Sequence, residues 1–121
     1  MPQIVVVFYA ERNAAPFLSW MEGLGEAIQD KLIARIELLE EKGHVLRRPH
    51  ADTLRDGVHE LRAVSQRVNY RVLYFFHGQV AVISHGITKE GAVPPREIDL
   101  AVERKRRFTG APEKHTYREE R

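Results

Sequence analysis

Three strand-like runs lie almost back to back in the second half of the chain and limit its fold more than any other feature. Residues 58–64, 70–77 and 79–86 are rich in β-branched and aromatic side chains and are separated by very short links. The last link, His77-Gly78-Gln79, is a tight-hairpin signal. Links this short leave no room for a crossover, so the runs must be antiparallel neighbours in one sheet. The opening run, residues 4–9, is almost wholly apolar and predicts a strand covered on both faces, interior to that sheet.

Helical signals fill the space between. Asn13 is a candidate cap and Pro16 suits a first helical turn, with Phe17, Leu18, Trp20 and Met21 as the apolar face until Gly23 and Gly25 intervene. Over residues 26–42, Ile28, Leu32, Ile36 and Leu39 recur at helical spacing and Ile33 widens the stripe, with Gly43 placed to end the helix. Residues 44–57 are polar and read as a loop. Pro94-Pro95 opens a last helix over residues 96–107, with Ile98, Ala101 and Val102 facing inward. The predicted order is β-α-α-β-β-β-α. This is an α+β fold with a small, mostly antiparallel sheet covered by helices on one face. Residues 1–108 form its single domain and residues 109–121 a flexible charged tail.

Charge is unevenly placed. Residues 1–41 carry three basic and seven acidic side chains, residues 42–107 carry thirteen basic and seven acidic, and the remainder balances. A cationic surface on the second half makes polyanions plausible partners. The absence of cysteine excludes thiol chemistry and thiolate metal sites, and no apolar run approaches the ~20 residues that span a bilayer. The opening apolar run follows no basic segment and precedes no small-residue cleavage site, so it is not a signal peptide, and the expected compartment is the cytoplasm. The six histidines show no metal-ligand spacing and no phosphate loop is present, so the expected chemistry uses Arg, Lys, His, Glu and Tyr without metal or cofactor.

Several polar residues fall inside the strand runs. Val58, Glu60, Arg62 and Val64 share one face, and Arg71 shares a face with Leu73 and Phe75. His85 ends the third run and Lys89 lies just beyond, so adjacent sheet ends can gather Arg62, Arg71, His85 and Lys89 into one cationic cluster. Structural roles compete with functional ones at each position. Glu60 and Arg62 make an i,i+2 pair, Arg71 a salt bridge, His85 a hydrogen-bonded strand histidine and Lys89 a solvated lysine.

The order of four motifs is more telling. Leu54-Arg55-Asp56-Gly57-Val58-His59-Glu60-Leu61-Arg62 is followed by Tyr70-Arg71-Val72-Leu73-Tyr74-Phe75, by His85-Gly86-Ile87-Thr88-Lys89, and by Pro95-Arg96-Glu97-Ile98 with Ala101. This series resembles the RelE/HigB-type toxins of bacterial toxin–antitoxin systems, and within them the phage-derived HigB-like branch. The likeness is close over residues 54–101, and the β-α-α beginning agrees in layout.

The resemblance implies a ribosome-dependent endoribonuclease, an mRNA interferase that inhibits translation by promoting attack of the ribose 2′-OH on the adjacent phosphate without a metal. It assigns Arg62 and Arg71 to the phosphate and Lys89 to the leaving group. His85, whose ordinary pKa lies near neutrality, is the candidate for proton transfer, and Glu60 is either a second base or the residue that orients Arg62. Arg47, Arg48, Arg55, Arg104, Lys105 and Arg106 are the expected RNA-binding set. The family's usual tyrosine is missing from the last helix, which leaves Tyr74, His115 and Tyr117 as substitutes. The implied partners are the ribosome, messenger RNA and a cognate helix-turn-helix antitoxin of the HigA type. Operator DNA is reached only through that antitoxin, and no membrane is involved. A catalytically inactive binding module, acting with the antitoxin on operator DNA, is the alternative. On the nuclease reading, Arg71→Ala relieves growth arrest and leaves the fold intact.

Overall fold

A computed structural model describes residues 4–119. Its elements are β1 (Val5–Phe8), α1 (Pro16–Glu22), α2 (Glu26–Lys42), β2 (Ala51–Thr53), β3 (Val58–Ser65), β4 (Val68–His77), β5 (Val80–Thr88) and α3 (Pro95–Gly110). Short 3₁₀ turns follow α2 at Gly43–Val45 and α3 at Pro112–His115. The five strands form one sheet in the order β1-β5-β4-β3-β2. β2 through β5 pair antiparallel, as the short links require, and β1 joins β5 in parallel. The α+β class expected from the sequence is the observed one.

Side-chain alternation divides the sheet into two buried layers. Leu61, Ala63, Val72, Tyr74, Ala81 and Ile83 face α1 and α2, where they meet Phe17, Ile28, Leu32 and Leu39. Val58 and Leu73 face the other way, onto Ile98 and Ala101 of α3, and Phe75 and Val82 pack there on Phe108. Helices therefore cover both faces, where the sequence had suggested one. The reason is that β4 and β5 carry apolar residues at consecutive positions, which commits both faces to burial.

Other expectations are corrected in similar terms. The run at residues 4–9 yields an edge strand and not an interior one. Both its faces are covered, Val6 and Phe8 on one core and Val7 on another, but its outer side is free of strands and Val5 is exposed. The polar stretch 44–57 hides β2, which pairs with β3 through Ala51, Asp52 and Thr53 and is too short for any periodicity to reveal. Asn13 does not cap α1. That position belongs to Ala15, and the Asn13 amide instead donates to the Arg118 carbonyl at 2.8 Å. Ile33 is exposed and lies outside the buried stripe of α2.

Two backbone details lock the layers. β5 holds one more residue than β4 at a bulge, since Leu73 faces His85 while Tyr74 faces Ile83 and Ser84 is left over. After the bulge, Gly86 turns towards α1. A Cβ there would lie 2.2 Å from the Trp20 ring, so only glycine admits that ring against the sheet.

The tail read as flexible is docked as far as Arg118, whose amide donates to Asn13 Oδ1 at 2.9 Å, while residues 120 and 121 lie outside the described residues. The Ala10 amide donates to the His115 carbonyl at 2.9 Å, and the Tyr117 amide to the Phe8 carbonyl at 2.9 Å. The His115 ring stacks on fully buried Tyr9 with centroids 5.1 Å apart. A chain ended after Ala111 loses these bonds and uncovers Tyr9. It should lose about 2 kcal/mol of stability, read as a lower urea midpoint. An unchanged midpoint would mean that the docked segment contributes nothing.

Candidate functional site

On the α3 side of the sheet, the register of β2, β3 and β4 sets like charges opposite one another. Asp52 pairs with Glu60, and Arg62 pairs with Arg71. Like charges directly across an antiparallel pair repel, so this arrangement holds only if opposite charges bridge along and between the strands. Glu60 makes those bridges. Its Oε1 accepts from Arg62 Nε at 3.1 Å and from Arg71 Nη1 in a shorter contact. Asp52 Oδ2 accepts from Arg62 Nη2 at 3.3 Å and from Arg48 Nη2 at 2.7 Å. The hydrogen bond from Arg48, followed by one from the Thr53 amide, holds the Asp52 carboxyl below its ordinary pKa against some desolvation.

Burial is graded along this network. Glu60 is 3% exposed, and the Arg71 and Arg62 side chains are 14% and 32% exposed. The carboxylate is thus the enclosed member and the guanidiniums reach outward. Arg62 Nη1 and Arg71 Nη2 make no hydrogen bond among the described residues. Both arginines line a cleft of about 410 Å³ between the sheet and the start of α3, with Glu60 and Asp52 in its polar wall and Leu54, Val93 and Ile98 in its apolar one. Two fixed guanidiniums with spare donors suit a phosphate that loses its other contacts to water.

His85 belongs to a neighbouring network. The bulge brings Ser84 and His85 together under α3, where Ser84 Oγ lies 2.8 Å from His85 Nδ1 and His85 Nε2 lies 3.0 Å from Glu97 Oε1. Burial pushes the His85 imidazole below its ordinary pKa, with the Glu97 hydrogen bond opposing, so the neutral ring is favoured. No hydrogen bond joins His85 to Glu60, Arg62 or Arg71, and His85 does not line the cleft. Lys89 meets the site through its backbone, its carbonyl 3.5 Å from Arg71 Nε, while its side chain is exposed. The expected cluster of four cations is therefore two arginines in contact through Glu60, with His85 in a separate network and Lys89 present through its backbone alone.

A protein-family model described as "phage derived protein Gp49-like (DUF891)" matches residues 19–106. The chain belongs to that family. It is a RelE/HigB-like toxin family, and the match spans the whole cleft from α1 into α3. No curated protein matches the chain.

In this Gp49-like chain the basic residues expected to bind RNA are dispersed. Arg47 donates to the His44 carbonyl at 2.7 Å, and Arg48 is held by Asp52. Arg55 lines the cleft but is paired with Asp56 and Asp99. Lys105 donates to the Asp56 carbonyl at 3.1 Å, and Arg106 is bound to Glu103 on the exposed side of α3. Arg104 turns inward, over the Tyr9 ring at 5.4 Å and onto Ser84 at 3.3 Å. Nor does a substitute tyrosine reach the cleft. Tyr74 is buried on the α1–α2 face with its hydroxyl pushed up to about 12 by desolvation, and His115 and Tyr117 lie beside β1. Asp52, Ser84 and Glu97 escaped the sequence reading. Glu97 alone had a signal, since it sits in the proline-led motif of α3.

Two outcomes follow. Arg71→Ala leaves Glu60 buried with half its counter-charge, so it should destabilise the fold by about 3 kcal/mol instead of sparing it, while Arg71→Lys loses less. Matching urea midpoints for the two variants would sink this role. His85 and His59 are both held below their ordinary value of 6.5 by burial, so the folded state takes up protons less readily than the unfolded one. Stability should therefore fall as pH drops below 6.5 towards the folded pKa values, and His85→Gln should flatten that slope in thermal melts. An unchanged slope would show that His85 does not contribute.

Proposed function

We propose that this protein is the toxin of a toxin–antitoxin pair, a ribosome-dependent endoribonuclease that cleaves messenger RNA and halts translation. The observation that carries this reading is the pair of opposed arginines, fixed by a buried glutamate, that line one cleft with an Nη atom of each unbonded among the described residues, in a chain of a toxin family. On this reading Arg62 and Arg71 bind the scissile phosphate. They neutralise the charge that builds as the 2′-oxygen bonds to phosphorus and the 5′-oxygen departs. The 2′-hydroxyl gives up one proton and the 5′-oxygen receives one. His85, poised neutral beside Ser84 and Glu97, is assigned to that transfer, and Lys89 to the leaving oxygen. Glu60 orients the arginines, since its Oε1 already accepts from both. The partners are the ribosome with its mRNA and a helix-turn-helix antitoxin through which alone operator DNA is reached.

The separation of His85 from the cleft favours a second reading, a binding module that engages RNA or antitoxin without turnover. Induced expression with primer-extension mapping of a translated reporter decides between them. The nuclease predicts growth arrest and cuts at in-frame positions that vanish when initiation is blocked. Arg62→Gln, at the more exposed arginine, should slow cleavage about a hundredfold. Normal growth with intact mRNA would overturn the nuclease and leave the binding module.

A further inference from the structure

Arg62 and Arg71 also line a second cleft, of about 480 Å³, on the side of the sheet end that faces α2. Lys31 and Arg35 of α2, His50, and Tyr70 complete its polar and aromatic lining. The two clefts differ in charge. The first contains Asp52 and Glu60, whereas no carboxylate lines the second. The two cations that α2 adds, Lys31 and Arg35, are held in place by neutral acceptors. Lys31 Nζ donates to the Val64 carbonyl at 2.6 Å and Arg35 Nε to the Arg62 carbonyl at 2.9 Å, so both side chains reach over β3. Neither has a carboxylate partner among the described residues, and the Arg35 Nη atoms are unbonded. Positive charge with spare donors and no internal counter-ion is a standing demand for an external anion.

The aromatic lining narrows the choice of anion. Tyr70 is half-buried, braced edge-on by Trp20 with centroids 6.3 Å apart. A phosphate-binding rim beside a braced ring is how single-stranded nucleic acid is commonly held, charge to the backbone and ring to the base. The volume is that of a small-ligand site. Arg62 and Arg71 line both clefts, so the two lie next to each other at the sheet end.

We propose that the second cleft is a further nucleotide subsite. Lys31 and Arg35 take the phosphate next to the scissile one, and Tyr70 carries its base. The inference rests on the first cleft being the site of RNA cleavage. It adds α2 to the RNA-binding surface, although the first 41 residues are net acidic.

Anisotropy of the full chain with a 2′-O-methyl RNA oligonucleotide, which cannot undergo 2′-OH attack, tests it across a range of salt. The double variant Lys31→Gln/Arg35→Gln should bind about tenfold more weakly at low salt. Its log–log salt slope should fall by about 0.7, the share of one phosphate on a single strand. Arg35→Lys should recover most of that slope, and Lys42→Gln, exposed elsewhere on α2, should match wild type. The slope guards against misfolding, because a smaller folded fraction weakens apparent affinity by one factor at every salt concentration and leaves the slope unchanged. Ribosome-dependent cleavage by the double variant should weaken in parallel. Unchanged binding and cleavage would overturn the subsite while leaving the nuclease standing. A double variant that keeps its RNA affinity but loses its hold on the antitoxin would also overturn it and make the cleft a protein-docking face. Wild-type protein that neither binds the oligonucleotide nor cuts translated mRNA would overturn the nuclease reading itself.

Discussion

The α3 side of the sheet depends on one enclosed carboxylate. Without Glu60, β3 and β4 would press two guanidiniums together in a setting that water only partly screens. With it, each arginine gains a fixed contact and still keeps one Nη atom unbonded among the described residues. Replacing such a buried pair with apolar residues is often neutral or stabilising, so stability is a weak explanation for keeping it. Preorganisation is a better one, because donors already held in place need not reorganise when an anion arrives.

The bulge in β5 is the second organising element, and it acts through parity. One extra residue reverses which face each later side chain meets. His85 thereby turns to α3 and Gly86 to α1, where the Trp20 ring closes on it. The same shift places Ser84 within reach of Arg104, whose guanidinium lies over Tyr9. A polar strand of contacts thus runs beneath α3 from Tyr9 to Glu97. It lies beside the Glu60 network without joining it.

Much of the architecture was legible because it is local. Short links demand an antiparallel meander, and Ile28, Leu32 and Leu39 demand a one-sided helix. Misreadings arose where the outcome depends on distant chain. β2 has three residues and exists because β3 offers it an edge. The segment after α3 is docked because Phe8 of β1 offers an acceptor, Ala10 a donor and Tyr9 a ring, all far away in sequence. Arg62 and Arg71 were legible as a pair, since alternation and a short turn set them on one face. Asp52 was not, because its partners come from pairing alone.

The sequence by itself determined the class of the fold, the strand order of the meander and the residue types at the site. Each of these follows from spacing along the chain. The tertiary structure alone decided that helices cover both faces, that Glu60 is enclosed while its arginines reach out, and that His85 stands apart from them. Those outcomes depend on register and on a single inserted residue, and neither leaves a trace in composition or period, because pairing energies are summed between segments and not within them.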